Sequence, residues 1–172
     1  MPSASFQIGL ATPDEVLAVS QVLQEAARWI TTWRAPLWDP DLLGEAFARP
    51  IIERGHMLTA KVGGEIAAVM ILEPEDPVFW PDYPAGEAAY IHKLAVRRAY
   101  AGMGAPAALV DHAATLALLQ GRWRLRLDCD VPLAGFYEKL GFRKVDEIDV
   151  RHPEAGPMRV VRMERHLAAQ PA

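Results

Sequence analysis

Apolar positions recur along this chain at two distinct periods. Val16, Val19, Val22, Leu23, Ala26, Ala27 and Ile30 stand three and four residues apart, the stripe of an amphipathic helix. Thr12 precedes Pro13, Asp14 and Glu15, a cap followed by proline and acids, which marks the start of that helix. Before it, Phe6 to Leu10 alternates as a short strand. From Thr31 to Pro50 the pattern fades, broken by Pro36 and Pro40, with room for a short second helix over Asp41 to Ala48. Met57 to Val62 and Glu65 to Leu72 alternate as strands joined at Gly63-Gly64 in a tight hairpin. Pro74, Pro77, Pro81 and Pro84 then exclude a central strand. Ala88 to Val96 is an apolar strand free of proline, and Ala105 to Gln120 a helix. Arg122 to Cys129 is a strand, and Leu133 to Leu140 a short helix stopped by Gly141. Phe142 to Val150 and Met158 to His166 are two last strands around a loop with Pro153, Gly156 and Pro157. Strands and helices therefore interleave as β-α-α-β-β-β-α-β-α-β-β, which predicts a mixed α/β (α+β) layer fold.

Composition narrows the picture. The 172 residues suit a single domain, 1–172, and 51% hydrophobic residues are enough for a sizeable core. No apolar run approaches a membrane span, and Met1 to Gln7 lack the basic start and apolar core of a secretory signal. A net charge of −4 argues against nucleic acid as a partner and mildly favours a cationic substrate. The lone Cys129 offers neither a disulfide nor a metal cluster, and a cytoplasmic setting is expected. His56, His112, His152 and His166 show no ligand spacing, so no metal is expected.

The chemistry concentrates in Tyr90 to Ala108, YIHKLAVRRAYAGMGAPAA, where a strand enters a glycine-containing turn and then a helix. N–H groups in a first helical turn lack internal partners and sit at the positive end of the dipole. Glycines there permit positive φ and close approach, so the segment reads as a phosphate or pyrophosphate cradle, with Arg97 and Arg98 upstream as added cations. It is no P-loop, because Ala105 and Pro106 follow Gly104, and two glycines fall short of a dinucleotide fingerprint.

Leu94-Ala95-Val96 followed by Ala101-Gly102-Met103-Gly104-Ala105-Pro106 resembles the signature of the GNAT superfamily of N-acetyltransferases. Downstream, Leu125 to Cys129 and then LAGFYEKLGF over 133–142 resemble that family's later strand and helix. Ala101 stands where the family usually has Gln or Arg, Pro106 where it has Gly or Ala, and Asp130 about where an Asn is common. The resemblance implies a twisted, mostly antiparallel mixed sheet of about seven strands, with helices on both faces and a V-shaped split. It implies acetyl-CoA as co-substrate and a small-molecule amine as acceptor. Backbone groups of Leu94 and Val96 would pair with the pantetheine arm, one of them polarising the thioester, and amides from Ala101 to Ala105 would hold the pyrophosphate. Tyr137 matches the tyrosine that protonates the departing thiolate.

For the base that deprotonates the amine, Glu87 and His92 are the candidates. Alternation places Tyr90, His92, Leu94 and Val96 on one face; a structural histidine, a solvated acid or a water relay are the competing readings. Trp29, Trp33, Trp38, Phe79, Trp80 and Tyr83 either line the acceptor side or anchor core and loops. Cys129 reads as a buried small residue, and Arg122, Arg124 and Arg126 as one solvated sheet face. Rivals to the transferase reading are a non-catalytic acyl-CoA-binding regulatory module, a protein N-terminus as acceptor, a larger acyl donor, or transfer to a hydroxyl. A homodimer through the last strands is compatible with all of them.

Overall fold

The stripe that starts at Val16 forms helix α1 (Val16–Ile30) in the computed structural model, which describes residues 4–32 and 38–167. A 3-10 turn over Pro13–Glu15 leads in, and the Thr12 N–H donates to the Glu15 carboxylate at 2.9 Å, tying down one group ahead of the helix. The order of elements agrees with that expected from the sequence: β1 (Gln7–Leu10), α1, α2 (Glu45–Glu53), β2 (Met57–Val62), β3 (Glu65–Glu73), β4 (Ala88–Val96), α3 (Ala105–Leu119), β5 (Arg124–Cys129), α4 (Ala134–Glu138), β6 (Arg143–His152) and β7 (Gly156–His166). The seven strands form one mostly antiparallel sheet in the order β1-β2-β3-β4-β5-β7-β6. No helix among the described residues is long and apolar enough to cross a membrane.

Two compact units make up the chain. The first takes in the described residues of Met1–Leu72 together with Lys93–His112. In it β2 pairs antiparallel with β1 and β3, and the β2–β3 turn is made by Gly63 and Gly64 at φ +57° and +84°, values that only glycine takes without strain. Val19, Val22, Leu23 and Ala27 from one face of α1 pack in a buried cluster with Ile51, Ile52, Met57, Val69 and Ala95. Helix α2 departs from the sequence expectation: it starts at Glu45 instead of Asp41 and runs past Pro50 to Glu53. Proline at that point removes one helical hydrogen bond, but Ile51 and Ile52 just beyond it are 7% and 5% exposed, and their burial offsets the loss.

The second unit takes in Glu73–His92 and the described residues of Ala113–Ala172. Strand β7 pairs antiparallel with β5 and β6, and β5 pairs parallel with β4 over Ala88↔Arg124, Ala89↔Leu125 and Tyr90↔Arg126. Arg126 corrects the reading of a solvated arginine face. It is 0% exposed, faces Glu164 across the strand pair, and donates through Nε to Glu164 at 2.8 Å, through Nη1 to the Tyr90 hydroxyl at 3.2 Å and through Nη2 to Glu87. Arg124 donates to the other Glu164 oxygen at 2.6 Å, and Arg122 to the Pro74 carbonyl at 3.0 Å. Alternation in a strand names the residues that share a face; whether that face is wet depends on the acids that other strands bring opposite it.

Removing one partner of a buried pair strands the other. Arg126→Ala is therefore expected to cost about 3–5 kcal/mol in urea unfolding, whereas Arg159→Ala, in an exposed pair, is expected to leave the urea midpoint almost unchanged. Burial alone would push the Glu164 carboxyl up, but Arg126, His166 and Arg124 hold it below its ordinary value of 4.5. A depressed native value contributes stability above pH 4.5 that is lost as pH falls through the native value. Acid unfolding followed by circular dichroism is expected to show this loss, weakened in Glu164→Gln.

Candidate active site

In the first unit, the end of β4 leads through a 3-10 turn at Arg98–Tyr100 into the loop Ala101–Gly104 and the first turn of α3. Leu94 and Val96 are half-buried and Ala95 buried, whereas Ala101, Gly102, Met103 and Gly104 are exposed and Ala105 is buried. Gly102 and Gly104 take φ +75° and +91°, and a Cβ at either would meet no atom within 4 Å, so the space before the loop is open. The Gly104 carbonyl accepts from Ala108 N–H at 3.1 Å, which makes Gly104 the residue just before the helix. Ala105 and Ala107 then carry N–H groups with no partner one turn back, while Pro106 has none to offer. The open backbone and the dipole together suit a phosphate-bearing ligand.

Arg97 and Arg98 have other partners. Arg97 donates through Nε to the Ile66 carbonyl at 2.9 Å and pairs with Glu25 at 3.4 Å, and the Arg98 guanidinium lies 3.8 Å from the Trp29 ring centre. They brace the segment that feeds the loop. Lys93, inside β4, takes φ +49°, a left-handed conformation that costs a non-glycine residue about 1–3 kcal/mol. The pleat is interrupted there, so the alternation expected to put His92 and Leu94 on one face does not run through residue 93.

The second unit gathers the acid–base groups. His92 Nε2 lies 3.8 Å from Glu73 Oε2 and 3.8 Å from Asp76 Oδ2. Donor atoms of Asp76, His92 and Asp128 all fall within 4.8 Å of one another. Asp76 is held by the turn it caps, its Oδ1 accepting from Val78 N–H at 3.1 Å and Phe79 N–H at 2.9 Å. Tyr137, on α4, is half-buried, with its ring edge-on to Phe136 and Phe142. Its hydroxyl is pushed well above the ordinary phenol range, first by burial and then by Cys129 and Asp128. Asp128 thus acts electrostatically on Tyr137 and also belongs to the His92 cluster. Asp130 closes β5 and its carbonyl accepts from Leu133 N–H at 2.9 Å. Glu87 stands apart from His92 in bonding, engaged with buried Arg126.

Glu73, Asp76 and Asp128 escaped the sequence reading. Asp76 sits in a proline-rich stretch that looks like plain loop, and Asp128 in an apolar strand; an acid in such a strand is the one signal available. Of the aromatic residues, Phe79 and Trp80 are buried in a cluster that also includes Tyr83, and the rings of Trp80 and Tyr83 lie 4.3–5.1 Å from the guanidiniums of Arg126 and Arg162. They anchor the loop. Trp38 packs against the core of the first unit with Lys93 over its ring at 5.0 Å, and Trp33 lies outside the described residues.

Comparison with known proteins adds four findings. A model of the acetyltransferase (GNAT) family matches residues 22–142. The uncharacterized N-acetyltransferase YesJ of Bacillus subtilis (strain 168) is 30% identical over 141 residues, 77% of this chain and 78% of that protein. Among solved structures, a GNAT-family acetyltransferase from Listeria monocytogenes 4b F2365 superposes with TM-score 0.75 at 21% identity, over 96% of this chain and 97% of that one. The PaiA N-acetyltransferase of Thermoplasma acidophilum, in complex with coenzyme A, does so with TM-score 0.71 at 15% identity, over 94% and 99%.

Cys129 is buried, and burial, then Asp128, pushes its thiol up to about 12. At pH 8 only about one thiol in ten thousand would be ionised. The native protein is expected to leave a disulfide reagent such as DTNB unreacted over minutes, and to react with one equivalent once unfolded in guanidinium.

Proposed function

This chain belongs to the acetyltransferase (GNAT) family, and from that premise we propose that it transfers the acetyl group of acetyl-CoA to a primary amine of a small molecule, by direct attack in a ternary complex. The observation that carries the donor half is the open, left-handed Gly102–Gly104 loop running into α3. Its backbone suits the pyrophosphate through the Gly102, Gly104 and Ala105 amides, since the Ala101 and Met103 N–H groups donate to the Arg98 and Tyr100 carbonyls; Leu94, Ala95, Val96 and Asp130 are assigned to the rest of the cofactor. One backbone N–H of Leu94 or Val96 would polarise the thioester carbonyl.

Of the two candidate bases, His92 fits better than Glu87. His92 carries a nitrogen between two carboxylates, whereas Glu87 is committed to Arg126 and would strand that buried cation if it took up a proton. Tyr137 is the candidate acid because its phenol carries a proton at neutral pH; the burial that raises it keeps it protonated but makes it the weaker donor, so donation needs the thiolate close by. The protons balance as follows. The ammonium loses one proton to His92, and its lone pair attacks the thioester carbon. The C–S bond breaks and the sulfur takes the Tyr137 proton. A second proton leaves the nitrogen and, by way of solvent, restores Tyr137; His92 releases the first.

Calorimetric titration with acetyl-CoA is expected to show saturable binding in the wild type. Gly104→Glu, which forces a side chain onto φ +91° and a charge beside the phosphates, is expected to weaken it at least about 100-fold. In a thiol-release assay with a turned-over amine, Tyr137→Phe and His92→Gln are each expected to lower kcat about 100-fold with acetyl-CoA affinity kept within about twofold. Binding without release over a broad amine panel would favour a regulatory acyl-CoA module, and no binding would refute the proposal.

A further inference from the structure

We propose that Asp76, His92 and Asp128 form the receptor for the acceptor's ammonium group, so that the enzyme selects unhindered primary aliphatic amines and takes them in charged. This deepens the transferase reading and rests on it. Each of the three residues brings one acceptor atom into a common space, with all three within 4.8 Å of one another. Asp76 gives an independent sign that something belongs there. Its residue is only 7% exposed and its Oδ1 is occupied by two backbone N–H groups, yet its Oδ2 makes no hydrogen bond. His92 Nε2 is 3.8 Å from that oxygen, beyond hydrogen-bond reach. A buried carboxylate oxygen left without a donor is costly, and a ligand that supplies one removes the cost.

The reaction and the number of donors point to the ligand. An ammonium nitrogen making tetrahedral N–H···O bonds of about 2.8–2.9 Å sets its acceptors about 4.6 Å apart. A Zn²⁺ ion with ligands at about 2.0–2.1 Å draws them to about 3.3 Å. The 3.8 Å between His92 Nε2 and Asp76 Oδ2 lies between the two values, so the ammonium is chosen on the transferase reading, and zinc is one arm of the test. A primary ammonium also carries three N–H donors, one for each acceptor. A secondary ammonium has two and a quaternary one none. Charge points the same way, because Glu73 adds a further carboxylate 3.8 Å from His92 Nε2.

The arrangement assigns the proton as well. The N–H that points at His92 Nε2 is the bond that breaks, and Nε2–H is the bond that forms. The nitrogen keeps the electron pair and stays held by Asp76 and Asp128 until that pair forms the new C–N bond. His92 is then the catalytic base, and the two aspartates are binding residues.

The test is an NMR titration of the full chain with butylammonium chloride and with butyltrimethylammonium chloride, following the histidine imidazole C–H signals with His92→Gln as the assignment control. Butylammonium is expected to shift the His92 signal saturably, and butyltrimethylammonium to bind at least about tenfold more weakly. Asp76 also caps a turn, so Asp128→Asn carries the mutational arm; it is expected to weaken butylammonium binding at least about tenfold while acetyl-CoA binding is unchanged. Equal binding of the two cations, or no effect of Asp128→Asn, overturns the proposal. So does a His92 signal that responds to ZnCl₂ and not to butylammonium, which would mark a metal site. Failure of acetyl-CoA to bind would instead refute the transferase reading, and is scored separately in the same samples.

Discussion

The second unit is organised around a charge taken out of water. Arg126 on β5 is fully buried, and it persists there because Glu164, Glu87 and the Tyr90 hydroxyl occupy its donors. Each partner comes from a different place: Glu164 from β7, Glu87 from the residue before β4, and Tyr90 from within β4. Arg162, opposite Asp128 on β7, repeats the device at the proline-rich loop. It donates to Asp146 at 2.6–2.7 Å, to Asp82 at 2.7 Å and to the Phe79 carbonyl at 3.2 Å. Both guanidiniums lie against the rings of Trp80 and Tyr83. A buried pair adds little net stability over a well-packed apolar core, but a wrong register would leave a bare charge inside, so such pairs penalise alternatives. Arg126 bonds Tyr90 across the β4–β5 pair, and Arg162 holds the Phe79 carbonyl in the loop that follows Asp76, so both act on elements that carry the His92 cluster.

Backbone strain does the corresponding work in the first unit. Positive φ at Lys93, Gly102 and Gly104 sets where β4 changes pleat and where the chain turns into α3. Two of the three are glycines, for which the conformation is inexpensive; Lys93 is not, and it stands between His92 and Leu94. The interruption parts His92, which lies with Asp76 and Asp128, from Leu94 to Val96, the residues proposed for the donor.

Much of the fold was legible because it depends on local rules. The α1 stripe, the Gly63-Gly64 turn, the proline-free β4 and the Gly104 start of α3 each follow from periodicity or from backbone chemistry within a few residues. Helix α2 lies later than expected because Pro40 to Leu42 form a separate 3-10 turn before the Gly44 cap, and the burial of Ile51 and Ile52 carries the helix past Pro50. The arginine row on β5 was misread for a related reason. Alternation cannot reveal that Glu164, some forty residues on, lies across the sheet from Arg126. The site divides in the same way. The donor loop is contiguous and carries a motif, and Tyr137 and His92 stand in recognisable segments. Asp76 and Asp128 belong to separate elements and become neighbours of His92 only when the chain folds.

The proposed donor segment and the proposed acid–base cluster of this acyltransferase are thus of different kinds, one a glycine backbone turn and the other a group of charged side chains. The central claim is that the acetyl group moves from acetyl-CoA to an amine nitrogen. It is tested most directly by incubating the protein with acetyl-CoA labelled with ¹³C in the acetyl group and a panel of primary amines, then analysing the products by mass spectrometry. The account predicts a labelled amide on at least one primary aliphatic amine, formed mole for mole with free coenzyme A. Labelled acetyl-CoA that binds but is recovered intact, or label found on hydroxyl oxygen instead of nitrogen, would contradict it.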